Sequence, residues 1–318
     1  MKQAFIFPGL NALLRRTDRV RYLHRPRVQW YLRCAEEIIG DNFGYRMSFS
    51  DFLEGRVEDI YSVQNISVAA VAICSIQTAV AEELAEIQGP PDFVMGCSLG
   101  DLARAVFAKA YSFEDAVVNH IKFTQKIDGI DKIGRNIGVL APKGQVFTDE
   151  DYQWFSDIAV DVSCLTPRFL NIGGRFQELE KVEARAHERS WNTMKILEYP
   201  AHSRYILPYV ECVREDFKSV MVHSPSIPMY SSFSASPISD PIAIREEFLL
   251  SICKPIHWNQ AVKAICRNDD VTRFVNIGPC RSLSGLMRDI PVVAECVEAE
   301  SIIGGNSISF RNREELLM

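Results

Sequence analysis

Residues 92–110 read DFVMGCSLGDLARAVFAKA: a short apolar run, a turn through Gly96-Cys97-Ser98-Leu99-Gly100, and a helix-patterned stretch directly after it. The turn fits G-x-S-x-G. A serine between a strand and a helix lies in strained backbone, where small flanking residues avoid clashes. The turn exposes the hydroxyl and aims the helix N-terminus at it, so backbone N–H groups can stabilise an oxyanion. In a loop of another fold the same five residues would be chance. The strand before and the helix after favour a nucleophile elbow.

Around this core, QAFIF at 3–7 predicts a buried strand closed by Pro8-Gly9, and QNISVAAVAICSIQTAVAEELAEI at 64–87 predicts a buried helix ended by Gly89-Pro90-Pro91. Its most apolar part, Val68–Ile73, is too short to span a bilayer. SFED at 112–115 predicts a capped helix start. From about 130 to 197 the texture changes to βαββα: NIGVLAP, TDEDYQWFSDI, VDVSCL, RFLNIGG and QELEKVEARAHERS. This set suits a small α+β insert. Beyond 198 the pattern is helix, strand (PMYSSF), helix and a final strand (RFVNIG).

With 47% hydrophobic and 24% charged residues in 318, the chain has the make-up of a globular protein with a sizeable core. A net charge of -6 gives no global pull toward nucleic acid or an anionic membrane. The nine cysteines are scattered, with no C-x-x-C pair, which argues against a zinc site or disulfide framework and for reduced thiols in the cytoplasm. The opening MKQAFIFPG lacks the apolar core of a secretory leader.

A serine nucleophile needs a base, and six histidines are candidates: His24, His120, His187, His202, His223 and His257. His202 lies in YPAHSR between a strand-like run and a new helix, but residue chemistry alone does not choose among the six.

Five blocks carry a resemblance over nearly the whole chain: FIFPG (5–9), GCSLGDLARAVFAKAYSFEDAV (96–117), YPAHS (199–203), KPIHWNQAV (254–262) and FVNIGPCRSLSGL (274–286). In this order and spacing they resemble the malonyl-CoA:acyl-carrier-protein transacylases and polyketide-synthase acyltransferase domains. Lipases and esterases share G-x-S-x-G but place their histidine near the C-terminus and lack the FPG and GPCRSL blocks. The resemblance implies an α/β fold: an α/β-hydrolase-like large domain (1–128 and 198–318) with an inserted small ferredoxin-like subdomain (129–197).

It also implies ping-pong chemistry, with Ser98 as nucleophile and His202 as base, the backbone N–H groups of Leu99 and Leu10 as oxyanion hole, and the His257 carbonyl orienting the histidine. The partners implied are acyl-CoA and an acyl-carrier protein. No cofactor or metal is implied beyond the phosphopantetheine arm of those substrates, and neither nucleic acid nor membrane.

Departures from the family concern the acyl group. The opening is FPGLN rather than FPGQG, and Cys97 replaces the family's histidine beside the nucleophile. Dicarboxylate-specific members carry an arginine about 25 residues after the serine. Here that position is Phe123, with Lys122 beside it. An apolar ring cannot replace a bidentate cation, and lysine lacks the fork. Leu165 and Phe169 stand where the family has polar amides, and Ala201 precedes the histidine. Together these changes predict a larger, less polar acyl pocket; Tyr199 is also placed in it, and Gln64 aligns with a glutamine near the family's active site or is only a helix cap.

The expected activity is transfer of a non-malonyl acyl group to a carrier protein in polyketide or fatty-acid assembly. Hydrolysis of carrier-bound acyl groups, malonyl transfer through Lys122, and a non-catalytic docking scaffold are the alternatives. The Arg15–Arg33 segment offers either a polyanion-binding surface or a solvated helix.

Overall fold

The computed structural model of the chain describes residues 1–13, 15–60, 62–126 and 129–304. Its strands are β1 (Lys2–Phe7), β2 (Phe93–Gly96), β3 (Gly134–Leu140), β4 (Asp161–Thr166), β5 (Phe169–Arg175), β6 (Asn192–Leu197), β7 (Met229–Tyr230), β8 (Pro237–Ile238), β9 (Val271–Asn276) and β10 (Glu295–Glu298). They form a six-stranded sheet in the order β10-β9-β1-β2-β7-β8 and a four-stranded sheet in the order β4-β5-β3-β6. The fold is α/β.

In the larger sheet β10, β9, β1, β2 and β7 are parallel and only β8 runs against its neighbour. Parallel strands must be covered on both faces, and β1 shows the alternation that does this. Phe5 and Phe7 enter one core with the long helix Ile66–Gln88, while Ala4 and Ile6 enter a second with Met95, Tyr230 and Trp258. Helix Ile66–Gln88 is, by length and composition, apolar enough to cross a bilayer. The apolar stretch is thus longer than the Val68–Ile73 run that stands out in the sequence. In the fold, 83% of that apolar window is buried inside the protein, so the helix spends its apolar surface on the core.

The smaller sheet is wholly antiparallel. With helices Asp149–Asp157 and Phe176–Glu188 between its strands it runs β-α-β-β-α-β, and it closes its own core around Phe155, Leu170, Ile172 and Leu179. That is the ferredoxin-like arrangement. Its last strand, β6, is almost entirely exposed, which explains why the sequence shows it only as a strand-like run. A further parallel strand, β10, follows RFVNIG, so β9 is not the last. Three glutamates in the six residues Glu295–Glu300 blur the β10 signal across Glu295–Glu298 and its flank.

The basic segment Arg15–Arg33 is largely spent inside the molecule. Arg19 is fully buried and donates to the carbonyls of Leu13 (2.8 Å), Leu53 (2.8 Å) and Gly55 (2.6 Å). Arg21 pairs with Glu300, Arg25 with Glu83 and Arg27 with Glu86.

Candidate active site

The loops after β1 and β2 meet at the carboxyl end of the parallel sheet, where open α/β sheets place their sites. Phe7 and Gly96 are register partners at these strand ends. Ser98 follows in the left-handed region, φ 58°, a costly backbone for a residue with a Cβ. The turn closes by Gly100 N–H to Cys97 O (3.1 Å) and Asp101 N–H to Ser98 O (3.0 Å), and helix Gly100–Phe107 starts at once.

The glycines are needed by contact rather than by torsion. A Cβ at Gly100 would lie 1.9 Å from the Phe7 carbonyl oxygen, and one at Gly96 would lie 2.5 Å from the Asp101 nitrogen. A Cβ at Gly9 would approach Cys97 O to 2.8 Å and Ser98 Cβ to 3.1 Å. The FPG loop therefore presses against the elbow, and buried Gln77 holds it by donating to Pro8 O at 2.7 Å.

Ser98 Oγ lies 2.7 Å from His202 Nε2. His202 is 5% exposed, with φ 57°, and its Nδ1 lies 2.8 Å from the Ser251 carbonyl. A backbone carbonyl accepts only a proton held on Nδ1, leaving Nε2 free to take one from Ser98. The His257 carbonyl does not have this role. It is the N-cap of helix Trp258–Asp269 and accepts the Ala261 N–H at 2.9 Å. The orienting oxygen comes instead from the 3-10 turn Ser251–Cys253, three residues before the KPIHW block.

The smaller sheet fixes the histidine turn from the other side. Asn136, buried in β3, donates to Ala201 O at 3.0 Å, and Arg204 forks onto Asp161 of β4 at 2.7 and 2.9 Å. Sequence reasoning missed Asn136, Asp161 and Ser251. Only Asn136 left a signal, as a lone amide inside an apolar strand.

Burial pushes the His202 pKa down from 6.5 to about 4, against the upward pull of the Ser251 and Lys254 backbone. The imidazole is thus neutral at pH 7, the form able to accept a proton. kcat/KM for acylation is expected to stay level from pH 8 to about 5 and to fall as His202 takes up its proton near pH 4. Above pH 6.5 the group is neutral in both folded and unfolded chains. Between 6.5 and about 4 only the unfolded chain gains the proton. Stability therefore declines with falling pH across that window, by on the order of 3 kcal/mol. Denaturation midpoints at pH 7 and pH 4.5 would check the sign.

Beside Ser98 opens a cavity of about 130 Å³. Of the residues assigned to the acyl pocket from the sequence, Phe123, Tyr199 and Ala201 line it; Leu10 and Leu99, assigned to the oxyanion hole, line it too, with Ile66, Leu102, Phe217, Phe248 and Ile252 among others. Five expected pocket residues do not reach it. Cys97 shares the parity of Met95 and faces the opposite core with Ile6. Lys122 is exposed and lines a neighbouring groove with Gln125, Lys126 and Asp216, because it lies one residue off the helix stripe that faces the cavity. Gln64 is exposed in the short turn Val63–Asn65, and the next turn sends Ile66 inward in its place. Leu165 packs on the second core, and Phe169 lies over Gly138 beside Met194 and Ile196 on the outer face of the small sheet.

Among the described lining residues none is lysine or arginine, and one, Asp101, is acidic. Arg104 Nη2 lies 3.0 Å from Asp101 and 3.0 Å from Glu247, and Nη1 donates to Tyr230 O, so its charge is held behind the wall. Burial pushes the Asp101 carboxyl up, Arg104 pulls it back, and Glu247 adds to the rise. Among the described residues no cluster of three or more His, Cys, Asp or Glu could hold a metal ion.

The acyl transferase domain model matches residues 24–304. The chain belongs to that family. It is 25% identical over 297 residues to the malonyl CoA-acyl carrier protein transacylase of Bacillus subtilis, covering 91% of this chain and 90% of that one. It is 25% identical over 295 residues to the polyketide biosynthesis protein ThaF of Burkholderia thailandensis, covering 90% of this chain but 25% of the longer relative. Among solved structures, the Synechocystis malonyl-CoA:ACP transacylase superposes with TM-score 0.81 at 17% identity, covering 96% of this chain and all of the other. The Coxiella burnetii transacylase gives 0.80 at 20% identity, covering 96% of each. At such identities the structural likeness speaks for the fold.

Proposed function

We propose that this acyltransferase moves an acyl group without a free carboxylate onto the phosphopantetheine thiol of an acyl-carrier protein, through a Ser98 acyl-enzyme. The donor is a CoA or carrier-protein thioester, and the setting is polyketide or fatty-acid assembly, in keeping with the names of its relatives. The observation that carries the acyl preference is the cavity wall, which offers an acid and no lysine or arginine among its described residues. A carboxylate moved there from water would lose its hydration and meet no lysine or arginine to offset that loss.

In the first half-reaction Ser98 Oγ attacks the thioester carbonyl carbon while its proton passes to His202 Nε2. The tetrahedral oxyanion takes hydrogen bonds from the N–H groups of Leu99 and Leu10. The C–S bond then breaks, and His202 returns the proton to the departing thiolate. In the second half the phosphopantetheine thiol gives His202 its proton, attacks the ester and releases Ser98. A thiol of pKa about 8.5 leaves far more readily than an amine. A histidine held by a neutral carbonyl rather than a carboxylate suits that lighter task.

Intact-protein mass spectrometry tests the cycle. An uncharged acyl-CoA should add its acyl mass to Ser98, and holo-carrier protein added next should remove it and gain the same mass. Release of free acid with no gain on the carrier would make water the acceptor. The pocket makes its own prediction. Phe123→Arg should raise malonyl acylation relative to an uncharged donor by about 10- to 100-fold, the worth of one charge-assisted fork. An unchanged ratio of the two adducts would remove Phe123 from selectivity.

A further inference from the structure

Helix Phe113–Gln125 presents Ala116, Asn119, His120, Phe123 and Thr124 to the acyl cavity, the i, i+3, i+4, i+7, i+8 stripe of one helix face. Three of these five are polar and uncharged, and two are already occupied. The Asn119 amide donates to Asp115 O at 2.9 Å and bonds the Tyr111 side chain. The Thr124 hydroxyl bonds the carbonyls of His120 (3.0 Å) and Ile121 (2.9 Å). The His120 imidazole makes no hydrogen bond among the described residues, although it stands in a cavity walled by Phe123, Phe217 and Phe248. Burial alone pushes its pKa down from 6.5 to about 4, so it faces the cavity neutral, with one donor and one acceptor.

We infer that His120 is a specificity residue that hydrogen-bonds an uncharged oxygen, hydroxyl or keto, on the acyl chain held at Ser98. This rests on the acyl-enzyme reading above and narrows its substrate class from any carboxylate-free acyl group to oxygenated ones. His120 is partly buried, so an acyl chain filling the cavity displaces water from the imidazole; a ligand oxygen replaces that water's hydrogen bond where a methylene leaves the ring unpaired. Sites of this kind reject the analogue lacking the oxygen more strongly than apolar pockets reject an added one. Toward a carboxylate a neutral imidazole offers one N–H donor, not the charged two-point fork of an arginine.

The test is a competition of acyl-CoAs of one chain length, saturated against hydroxylated or oxo-substituted at C3, C5 or C7, read as the ratio of Ser98 adduct masses. Each ratio is internal to one sample, so a poorly folding variant still reports. The wild-type protein should favour at least one oxygenated donor by about 10-fold or more, and both His120→Ala and His120→Phe should bring that ratio to near or below one. A wild-type ratio near one at every oxygen position, or a preference that survives both substitutions, overturns the assignment and leaves the acyl-enzyme reading standing. Absence of any Ser98 adduct overturns that reading and the assignment with it.

Discussion

Ser98→Ala is expected to lower kcat/KM for acyl transfer by at least about 10⁴-fold, while the variant folds as the parent does. Ser98 is the cavity hydroxyl within reach of a base, 2.7 Å from His202 Nε2. The other serine on the wall, Ser251, donates its hydroxyl to Phe248 O at 3.0 Å. The adjacent Cys97 cannot substitute. It faces the far core, and burial drives its thiol pKa well above the ordinary value, away from the thiolate. The alanine variant therefore loses the covalent route, keeping only whatever rate proximity gives to direct transfer between two thiols. Steady-state transfer assays alongside circular dichroism would read both parts. A loss below 10-fold with intact structure would mean that no acyl-enzyme forms.

Gly100→Ala should cost more stability than any other single methyl added at this site. The new Cβ would stand 1.9 Å from Phe7 O and 2.6 Å from its carbonyl carbon, both backbone atoms of the central strand. No rotamer change relieves a clash with backbone, so either β1 or helix Gly100–Phe107 must move. The expected penalty is about 4 kcal/mol or more, a large part of the stability of a typical domain. Thermal melting should fall by about 10 °C or more, or soluble protein should vanish. Gly285→Ala is the control, since nothing lies within 4 Å of a Cβ there. A Gly100→Ala protein melting with its parent would show that the FPG loop does not press on the elbow as described.

Much of this was legible in the chain, and the reasons differ by feature. The elbow was readable because its constraint is local: two glycines forced by contact and a serine forced into φ 58°. β1 was readable because its apolar residues must fill both faces of a parallel strand. The pocket was harder, since neighbouring residues diverge. Phe123 and Lys122 differ by one helical step, and one lines the cavity while the other reaches solvent. Cys97 and Ser98 differ by one step of a strand end and face opposite sides.

The His257 error had an available remedy. A residue directly before a helix already gives its carbonyl to the helix's own first hydrogen bond, which makes it a poorer choice for orienting a side chain elsewhere. That the orienting oxygen comes from Ser251 depends on how the turn Ser251–Cys253 packs against the histidine loop, which no local pattern encodes. His120 appeared in the sequence only as one histidine among six. Its role as a cavity residue follows from the register of helix Phe113–Gln125.

On the proposed function, Ser98 accepts an uncharged acyl group in preference to one bearing a carboxylate. Equal concentrations of malonyl-CoA and butyryl-CoA, mixed with the wild-type protein and quenched before turnover, test it directly in one mass spectrum. The cavity wall predicts that the butyryl adduct on Ser98 exceeds the malonyl adduct by about 10-fold or more. A malonyl adduct equal to it or larger would overturn that preference, and would require a cation to reach the cavity that the described wall does not hold.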